Sequence, residues 1–140
     1  MWVKKNYIHP TKNMERYKIF LPDINGSGAL GETLSSPFVV APNVCHTETF
    51  LSIGNFETKA EADFCLKYIK TKFARVMLGV LKATHHTSPS TWFYVPLQDF
   101  TKNSDIDWSK PINEIDTQLY AKYHLTKEEI NFIETHVKGM

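Results

Sequence analysis

The sequence predicts an α+β domain in which a small mixed or antiparallel sheet packs on one long amphipathic helix, with a C-terminal helical hairpin after it. Three observations support this prediction. Short runs of strand composition precede the helix, residues 58–82 repeat apolar side chains at a helical period, and two helical segments end the chain. An apolar content of 42% and a charged content of 22% are those of one globular domain over residues 1–140.

The predicted strands follow one another with short loops between them. Residues 1–15 mix apolar and polar side chains and are interpreted as an edge strand or as a segment of something upstream. Residues 16–21 (RYKIFL) have strand composition and end at Pro22. After a turn-rich loop over residues 23–36, strands are expected at 38–40 and 48–56, the second leading into the long helix. Another is expected at 91–97, with Pro96 at its edge or exit.

The long helix over residues 58–82 has two faces of different chemistry. Thr58 is the predicted N-cap, and Glu61 completes a capping box. The apolar face consists of Ala62, Cys65, Ile69, Phe73, Val76 and Val80. The opposite face gathers Lys67, Lys70, Arg75 and Lys82, and residues 64–98 contain no Asp or Glu. This pattern favours a helix that faces an anionic partner; the alternative is a core helix with a solvated lysine face.

Two helices are predicted for the C-terminal hairpin. Pro111 is well placed as a first helical residue, and a helix is expected from there to about residue 123. Its apolar side consists of Ile115, Leu119 and Tyr123. The last helix is predicted from a capping box of Thr126 and Glu129 inside a hydrophobic staple. The staple residues are Leu125 and Ile130, and the apolar stripe is Ile130, Ile133 and Val137.

The charge is unevenly distributed along the chain. The formal net charge is +1, but residues 1–100 carry 11 basic and 8 acidic side chains, whereas residues 101–140 carry 5 and 7. An anionic partner is therefore expected to meet the first two thirds of the chain. Cys45 and Cys65 lack metal-ligand spacing, so both are expected to be reduced, buried thiols. Without a signal peptide or an apolar run of membrane length, a cytoplasmic location and no membrane partner are expected.

Two short motifs have the spacing of known cofactor or metal sites. Gly26, Gly28 and Gly31 form G-x-G-x-x-G, but no helical period follows to receive a pyrophosphate, so a flexible surface or contact loop is expected. Asp23, Glu57 and Lys59 match the loose pattern of magnesium-dependent nucleases. Because Thr58 as a helix cap turns Lys59 away from Glu57, this nuclease remains only an alternative. No catalytic residue and no metal ligand is assigned.

The segment 82–98 is rich in hydrogen-bond donors beside the basic helix. It contains threonines, serines and the adjacent His85 and His86, followed by Trp92, Phe93 and Tyr94. Hydroxyl and imidazole groups suit contacts with phosphates and base edges. The alternative is an ordinary polar loop before a core strand, with the aromatics in the core.

Three separate blocks resemble one family of enzymes. The runs 68–75 (YIKTKFAR), 95–101 (VPLQDFT) and 116–140 (DTQLYAKYHLTKEEINFIETHVKGM) are similar to the C-terminal end of type II restriction-modification, adenine-specific (N6) DNA methyltransferases, often fused to a nuclease. The stretch 48–62 (ETFLSIGNFETKAEA) resembles the entry into their long helix. The resemblance covers roughly residues 37–140 and implies a target-recognition domain for double-stranded DNA.

The resemblance does not include the family's catalytic motifs. Neither an Asn-Pro-Pro-Tyr motif nor the Phe-x-Gly-x-Gly loop for S-adenosylmethionine occurs in this chain. The chain is therefore expected to be a C-terminal fragment with an artificial start at Met1. Residues 1–100 would form the target-recognition part and residues 101–140 the hairpin. S-adenosylmethionine, and Mg²⁺ where a nuclease is fused, would belong to the parent enzyme.

Two roles are expected for the candidate DNA-binding residues. The basic residues Lys67, Lys70, Arg75 and Lys82 would contact phosphates, which positions the domain. The loop residues Asn25, Ser27, His85, His86 and Thr87 would approach base edges. A third hypothesis is a structural interaction domain, with the hairpin docking on the parent's catalytic domain and its acidic surface kept away from DNA.

Overall fold

The computed structural model describes residues 2–140 and has an α+β fold built on a three-stranded antiparallel sheet. The strands are β1 (Tyr17–Pro22), β2 (Phe38–Val40) and β3 (Phe50–Phe56), in the order β2-β1-β3. The three predicted strands in this part of the chain are confirmed, with boundaries shifted by one or two residues. Residues 2–15 contain a short 3₁₀ turn (Lys5–Tyr7) and no strand, so an edge strand there is not found; Met1 lies outside the described residues.

The two faces of the sheet have different environments. Ile19 pairs with Ile53 and Leu21 with Leu51, and both β1 residues are buried in the main core against the helices. Phe20 points to the other face, where its ring contacts the rings of Phe38, Phe50 and His46 in a second, smaller aromatic cluster. The period-two alternation of β1 thus places apolar side chains on both faces.

The predicted single long helix is wrong, because the segment forms two helices separated by Thr71. They are α1 (Lys59–Lys70) and α2 (Lys72–Gly79). The capping box at the start of α1 is confirmed: Glu61 N donates to Thr58 Oγ1 over 3.2 Å, and Thr58 N donates to the Glu61 carboxylate over 3.1 Å. Thr71 itself has extended backbone angles, with φ −60° and ψ 151°.

The break at Thr71 is compensated by hydrogen bonds to the first free N–H groups of α2. The carboxylate of Asp116 accepts from Lys72 N at 3.0 Å and from Phe73 N at 2.9 Å. Thr71 Oγ1 accepts from Ala74 N at 3.1 Å. An N-terminal turn whose donors are satisfied in this way costs little to form. The interruption is therefore stabilised by Thr71 itself and by Asp116, which comes from a helix far along the chain.

The strand predicted at residues 91–97 is also wrong. Pro89–Trp92 form a 3₁₀ turn, with Pro89 in its first turn, and the following residues are irregular. The Tyr68 hydroxyl donates to the carbonyl of Pro96 over 2.7 Å. A side chain of α1, rather than a strand ladder, therefore attaches this segment to the domain.

The two predicted C-terminal helices are confirmed as α3 (Ile112–Lys122) and α4 (Lys127–His136). The capping box of Thr126 and Glu129 is present at the start of α4. Both helices pack on α2, and the Tyr120 hydroxyl of α3 donates to the Glu134 carboxylate of α4 over 2.8 Å.

One hydrophobic core joins the sheet, α1, α2 and the C-terminal helices. Its larger buried side chains are Ile19, Leu21, Leu34, Cys65, Tyr68, Ile69, Phe73, Leu78, Ile106, Trp108, Ile115, Leu119, Tyr120, Ile133 and Val137. Residues 2–100 and 101–140 therefore share one core and are parts of one packing unit.

The two cysteines differ in their environments. Cys65 is buried, and this burial raises the pKa of its thiol to about 12. Cys45 is exposed, which corrects the expectation that both thiols are buried. Cys45 follows β2 in an irregular segment that lies outside the main core.

Candidate functional site

The predicted basic face of the long helix is not a free surface. Only 1% of Arg75 and 2% of Lys82 is exposed, and Lys67 and Lys70 are half-buried. The expectation that Arg75 and Lys82 contact phosphates is therefore corrected, because both side chains are used inside the domain.

Arg75 holds four backbone carbonyls together. Its Nε donates to the carbonyls of Lys70 (3.1 Å) and Thr71 (3.3 Å), where α1 ends, and its guanidinium also reaches Gly31 O (2.7 Å) and Lys138 O (2.5 Å). The free carbonyls at a helix C-terminus carry partial negative charge, which suits a cation. Burial lowers the pKa of the Arg75 guanidinium, but its ordinary value is so high that it stays charged. Arg75 thus links the loop that contains Gly31 and the segment after α4 to the end of α1.

Lys82 is neutralised by Glu32, an acid that the sequence analysis did not single out. Its ammonium forms an ion pair with the Glu32 carboxylate and donates to the carbonyls of Asn25 (2.6 Å) and Thr84 (3.0 Å). Burial opposes ionisation of Glu32, but hydrogen bonds from Lys82 and from the backbone N–H groups of Ser27 and Gly28 outweigh it and keep the pKa of this carboxyl below its usual range. The Glu32 carboxyl is therefore ionised at neutral pH.

Other lysines near the predicted basic face also have internal partners. Lys67 donates to the carbonyls of Trp108, Ser109 and Lys110 at 3.0–3.2 Å. Lys72, at the start of α2, forms an ion pair of 2.5 Å with Glu134. Most cations of the acid-free run 64–98 thus bind carbonyl oxygens or carboxylates inside the domain, so the run does not form the continuous basic surface that the sequence predicts.

Two of the five loop residues that were expected to approach base edges are buried as well. Asn25 has no exposed surface; its amide donates to Thr33 O over 3.2 Å and its carbonyl accepts from Ser35 N. Thr87 is equally buried, and its hydroxyl has no hydrogen-bond partner among residues 2–140. These side chains shape the loops and cannot contact base edges in this structure.

The other three of these loop residues are exposed, on two loops that lie side by side: Ser27, His85 and His86. We call residues 23–36 the glycine loop and residues 83–88 the histidine loop. Asn25 N donates to His85 O over 2.7 Å, and Thr87 N donates to Asp23 O over 2.8 Å. The His86 ring nitrogen lies 3.1 Å from the Asp23 carboxylate. The expected flexible glycine loop is instead joined to its neighbour by backbone hydrogen bonds.

The residues of the alternative nuclease site do not lie together. Strands β1 and β3 are antiparallel, with Pro22 paired with Phe50 and Tyr17 with Phe56. Asp23 therefore lies at one end of the sheet, whereas Glu57 follows the other end. Six residues of strand separate them by roughly 20 Å, which is too far to share a metal ion. Glu57 pairs with Arg16, and Lys59 with Asp63.

An apolar groove of about 440 Å³ lies between α2 and α4. Its lining residues are Phe73, Val76, Met77, Leu125, Glu128, Glu129, Phe132 and Ile133. Phe132 is 44% exposed, although it projects from a helix whose other residues are mostly polar. The groove gives the C-terminal helices an apolar surface that residues 2–140 leave uncovered.

Among residues 2–140, no three His, Cys, Asp or Glu side chains are placed to hold a metal ion, and no helix is long and apolar enough to cross a membrane. Comparisons with protein-family models, with curated proteins and with solved structures give no match to this chain. The α+β fold and its paired loops are thus the basis for a functional proposal.

The roles of two residues in this region could not be predicted from the sequence. Glu32 and Asp116 bind partners more than 40 positions away, and nothing in their local pattern indicates this. The acid-free run 64–98 was the one sequence feature that pointed to such partners. Any acid that pairs with a cation buried within it must come from another segment.

Proposed function

We propose that this chain is a DNA target-recognition domain that positions the adenine-N6 methyltransferase of a restriction-modification enzyme on its double-stranded DNA site. A nuclease, where one is fused, would be positioned in the same way. S-adenosylmethionine and Mg²⁺ would be bound by the parent's catalytic domains in the cytoplasm. The family-like blocks at residues 68–75, 95–101 and 116–140 support this proposal.

The observation that carries the proposal is the pair of adjacent loops with exposed polar side chains on a fixed backbone. Ser27, His85 and His86 offer hydroxyl and imidazole groups, which form hydrogen bonds with base edges. The backbones beneath them are held by the buried Arg75 and Lys82. Because hydrogen bonds already join the two loops, such a surface should lose less conformational entropy on binding than two separate loops would.

The basic residues thus have a different role from the one expected from sequence. Arg75 and Lys82 position the reading loops from inside, whereas phosphate contacts would come from half-buried Lys70 and from the parent's catalytic domain. Phe93 and Tyr94 are both exposed, and they follow the histidine loop closely in sequence.

A selection experiment tests this proposal. The chain is incubated at low salt with a pool of randomised duplexes, and bound DNA is sequenced over several rounds. We expect one sequence to be enriched. His86→Ala should then weaken binding to the selected sequence by about 1–3 kcal/mol and should hardly change binding to scrambled DNA. His136→Ala is the matched control, because that histidine is exposed on α4, and it should change neither affinity. No enrichment, or equal losses for both variants, would contradict the proposal.

A second candidate function, docking on a catalytic domain, is favoured by the groove between α2 and α4. Phe132 at this groove is 44% exposed, and aromatic residues are frequent anchors of protein interfaces. Phe132→Ser should weaken association with a separately expressed methyltransferase domain by about 2 kcal/mol or more. Phe93→Ser, the same substitution at another exposed ring, should leave it unchanged. Equal association of both variants would reject this surface.

A further inference from the structure

The carboxylate of Glu32 lies in a ring of hydrogen-bond donors. Its oxygens accept from Ser27 N at 2.8 Å, Gly28 N at 3.1 Å and Ser27 Oγ at 3.4 Å, and from the buried ammonium of Lys82. Successive backbone N–H groups that converge in this way form an anion-binding nest, as in phosphate-binding loops. Every polar group that contacts the carboxylate is a donor, so the nest selects an anion.

The nest depends on glycine backbone geometry. Gly26 has φ +62° and Gly28 has φ +91°, in the left-handed region that favours glycine. A Cβ atom on Gly26 would collide with the Glu32 carboxylate. The anion therefore occupies the space that is open only because residue 26 has no side chain.

The loop that carries these donors is anchored without Glu32. Asn25 binds the backbone of Thr33 and Ser35, and its own N–H donates to His85. Further along, Arg75 holds the carbonyl of Gly31. Because these contacts lie on both sides of the nest, its donors should keep their positions when the Glu32 side chain moves away.

We propose that this nest is an exchangeable anion site that takes a phosphate group, with Glu32 as its internal occupant in the free protein. A phosphodiester carries the same single negative charge as the carboxylate, so the exchange leaves Lys82 neutralised. Phosphate oxygens accept the same N–H, O–H and ammonium donors. Gly26 and Ser27 are exposed, and the Glu32 side chain is 15% exposed, so the nest is open to solvent on this side.

The exchange has a measurable energetic consequence. A carboxylate tethered four or five residues from its donors competes with a free anion at an effective concentration of about millimolar or more. The wild-type protein should therefore bind free phosphate weakly, and removal of the carboxylate should uncover the site. This property does not depend on whether the chain recognises DNA.

The test is a ¹H–¹⁵N NMR titration of the full chain with inorganic phosphate and, separately, with dimethyl phosphate. In Glu32→Ala, the amide signals of Ser27 and Gly28 should shift and saturate, with an affinity at least about tenfold above that of the wild type. Glu32→Gln keeps an uncharged acceptor and should fall between the two. A folded Glu32→Ala protein whose Ser27 and Gly28 signals ignore both anions, or bind them as the wild type does, would overturn the proposal.

A second pair of variants locates the anion. Gly26→Ala in the Glu32→Ala background places a methyl group where the anion should lie, so the phosphate response should be lost. Gly139→Ala in the same background is the matched control, because a Cβ there meets no other atom within 4 Å, and the response should persist. Because Gly26→Ala strains a left-handed position, its fold is checked by the unchanged signals of residues outside the loop. A response that persists in both double variants places the anion elsewhere and overturns the proposal.

The two probes also separate the possible sources of the phosphate group. A response to dimethyl phosphate identifies a nucleic-acid phosphodiester as an acceptable ligand, whereas a response to inorganic phosphate alone assigns the site to free phosphate. Both results support the nest as a phosphate site. If the duplex selection fails while Glu32→Ala still binds either probe, the proposed function is lost and the anion site stands. If Glu32→Ala responds to neither probe, the proposed anion site is rejected and the proposed function is unaffected.

Discussion

Replacement of Lys82 by Met tests the assignment of its ammonium to the interior. The Lys82 side chain is 2% exposed, and the methionine keeps its apolar stem but removes the cation that pairs with Glu32. The carbonyls of Asn25 and Thr84 also lose their donor. Removing one partner of a buried ion pair costs about 3–5 kcal/mol. Because Glu32 keeps the two loop amides as donors, we expect about 2–4 kcal/mol.

The assay is urea denaturation followed by tryptophan fluorescence, with Lys70→Met as the matched control. Lys70 is half-buried at the end of α1, so its loss should change the unfolding free energy by less than about 0.5 kcal/mol. On duplex DNA, Lys82→Met should keep the wild-type salt dependence while Glu32 occupies the nest. Loss of a phosphate contact at residue 70 should lower the salt slope by about one unit.

The opposite pattern would refute this reasoning. If Lys82→Met is as stable as the wild type and lowers the salt slope by about one unit, Lys82 faces DNA rather than Glu32. A loss of stability in Lys70→Met as large as that in Lys82→Met would show that the two lysines are not distinguished by burial.

Four further predictions follow from the packing and the titrating groups. Phe73→Ala should lower the unfolding free energy by about 3–5 kcal/mol in the same assay, because the ring is buried; an unchanged value would disprove this packing. Thr126→Ala should cost about 1 kcal/mol through loss of the α4 N-cap without altering duplex affinity. Iodoacetamide should label Cys45 in the folded protein and spare Cys65, with one adduct by mass spectrometry; two adducts would contradict the burial. Since the folded pKa of Glu32 lies below its ordinary value, its stabilisation is complete above about pH 4.5 and is lost as the pH falls through the folded value. The stability difference between wild type and Glu32→Gln should therefore shrink in acid, and a constant difference down to pH 2 would contradict this linkage.

Much of the local structure could be predicted from the sequence. Strand composition located β1, β2 and β3, and the spacing of Thr58 with Glu61 and of Thr126 with Glu129 identified two helix starts. These features depend on residues within three or four positions, so their energetics are contained in a short window of sequence.

The candidate site could be predicted only in part. Ser27, His85 and His86 are exposed as expected, because short polar segments between regular elements lie at the surface. Asn25 and Thr87 belong to the same polar segments, yet they are buried. Composition does not reveal which polar side chain of a loop turns inward to satisfy the backbone of its neighbour.

The sequence by itself determined the α+β class, the order of the strands along the chain and the helix caps. Only the tertiary structure decided that the long helical pattern breaks at Thr71 and that Arg75 and Lys82 lie inside. The break is stabilised by Asp116, and the buried cations by Glu32 and by carbonyls of remote segments. A charged side chain enters the interior only where hydrogen-bond partners replace its water, and here the chain brings several of those partners from more than 40 residues away.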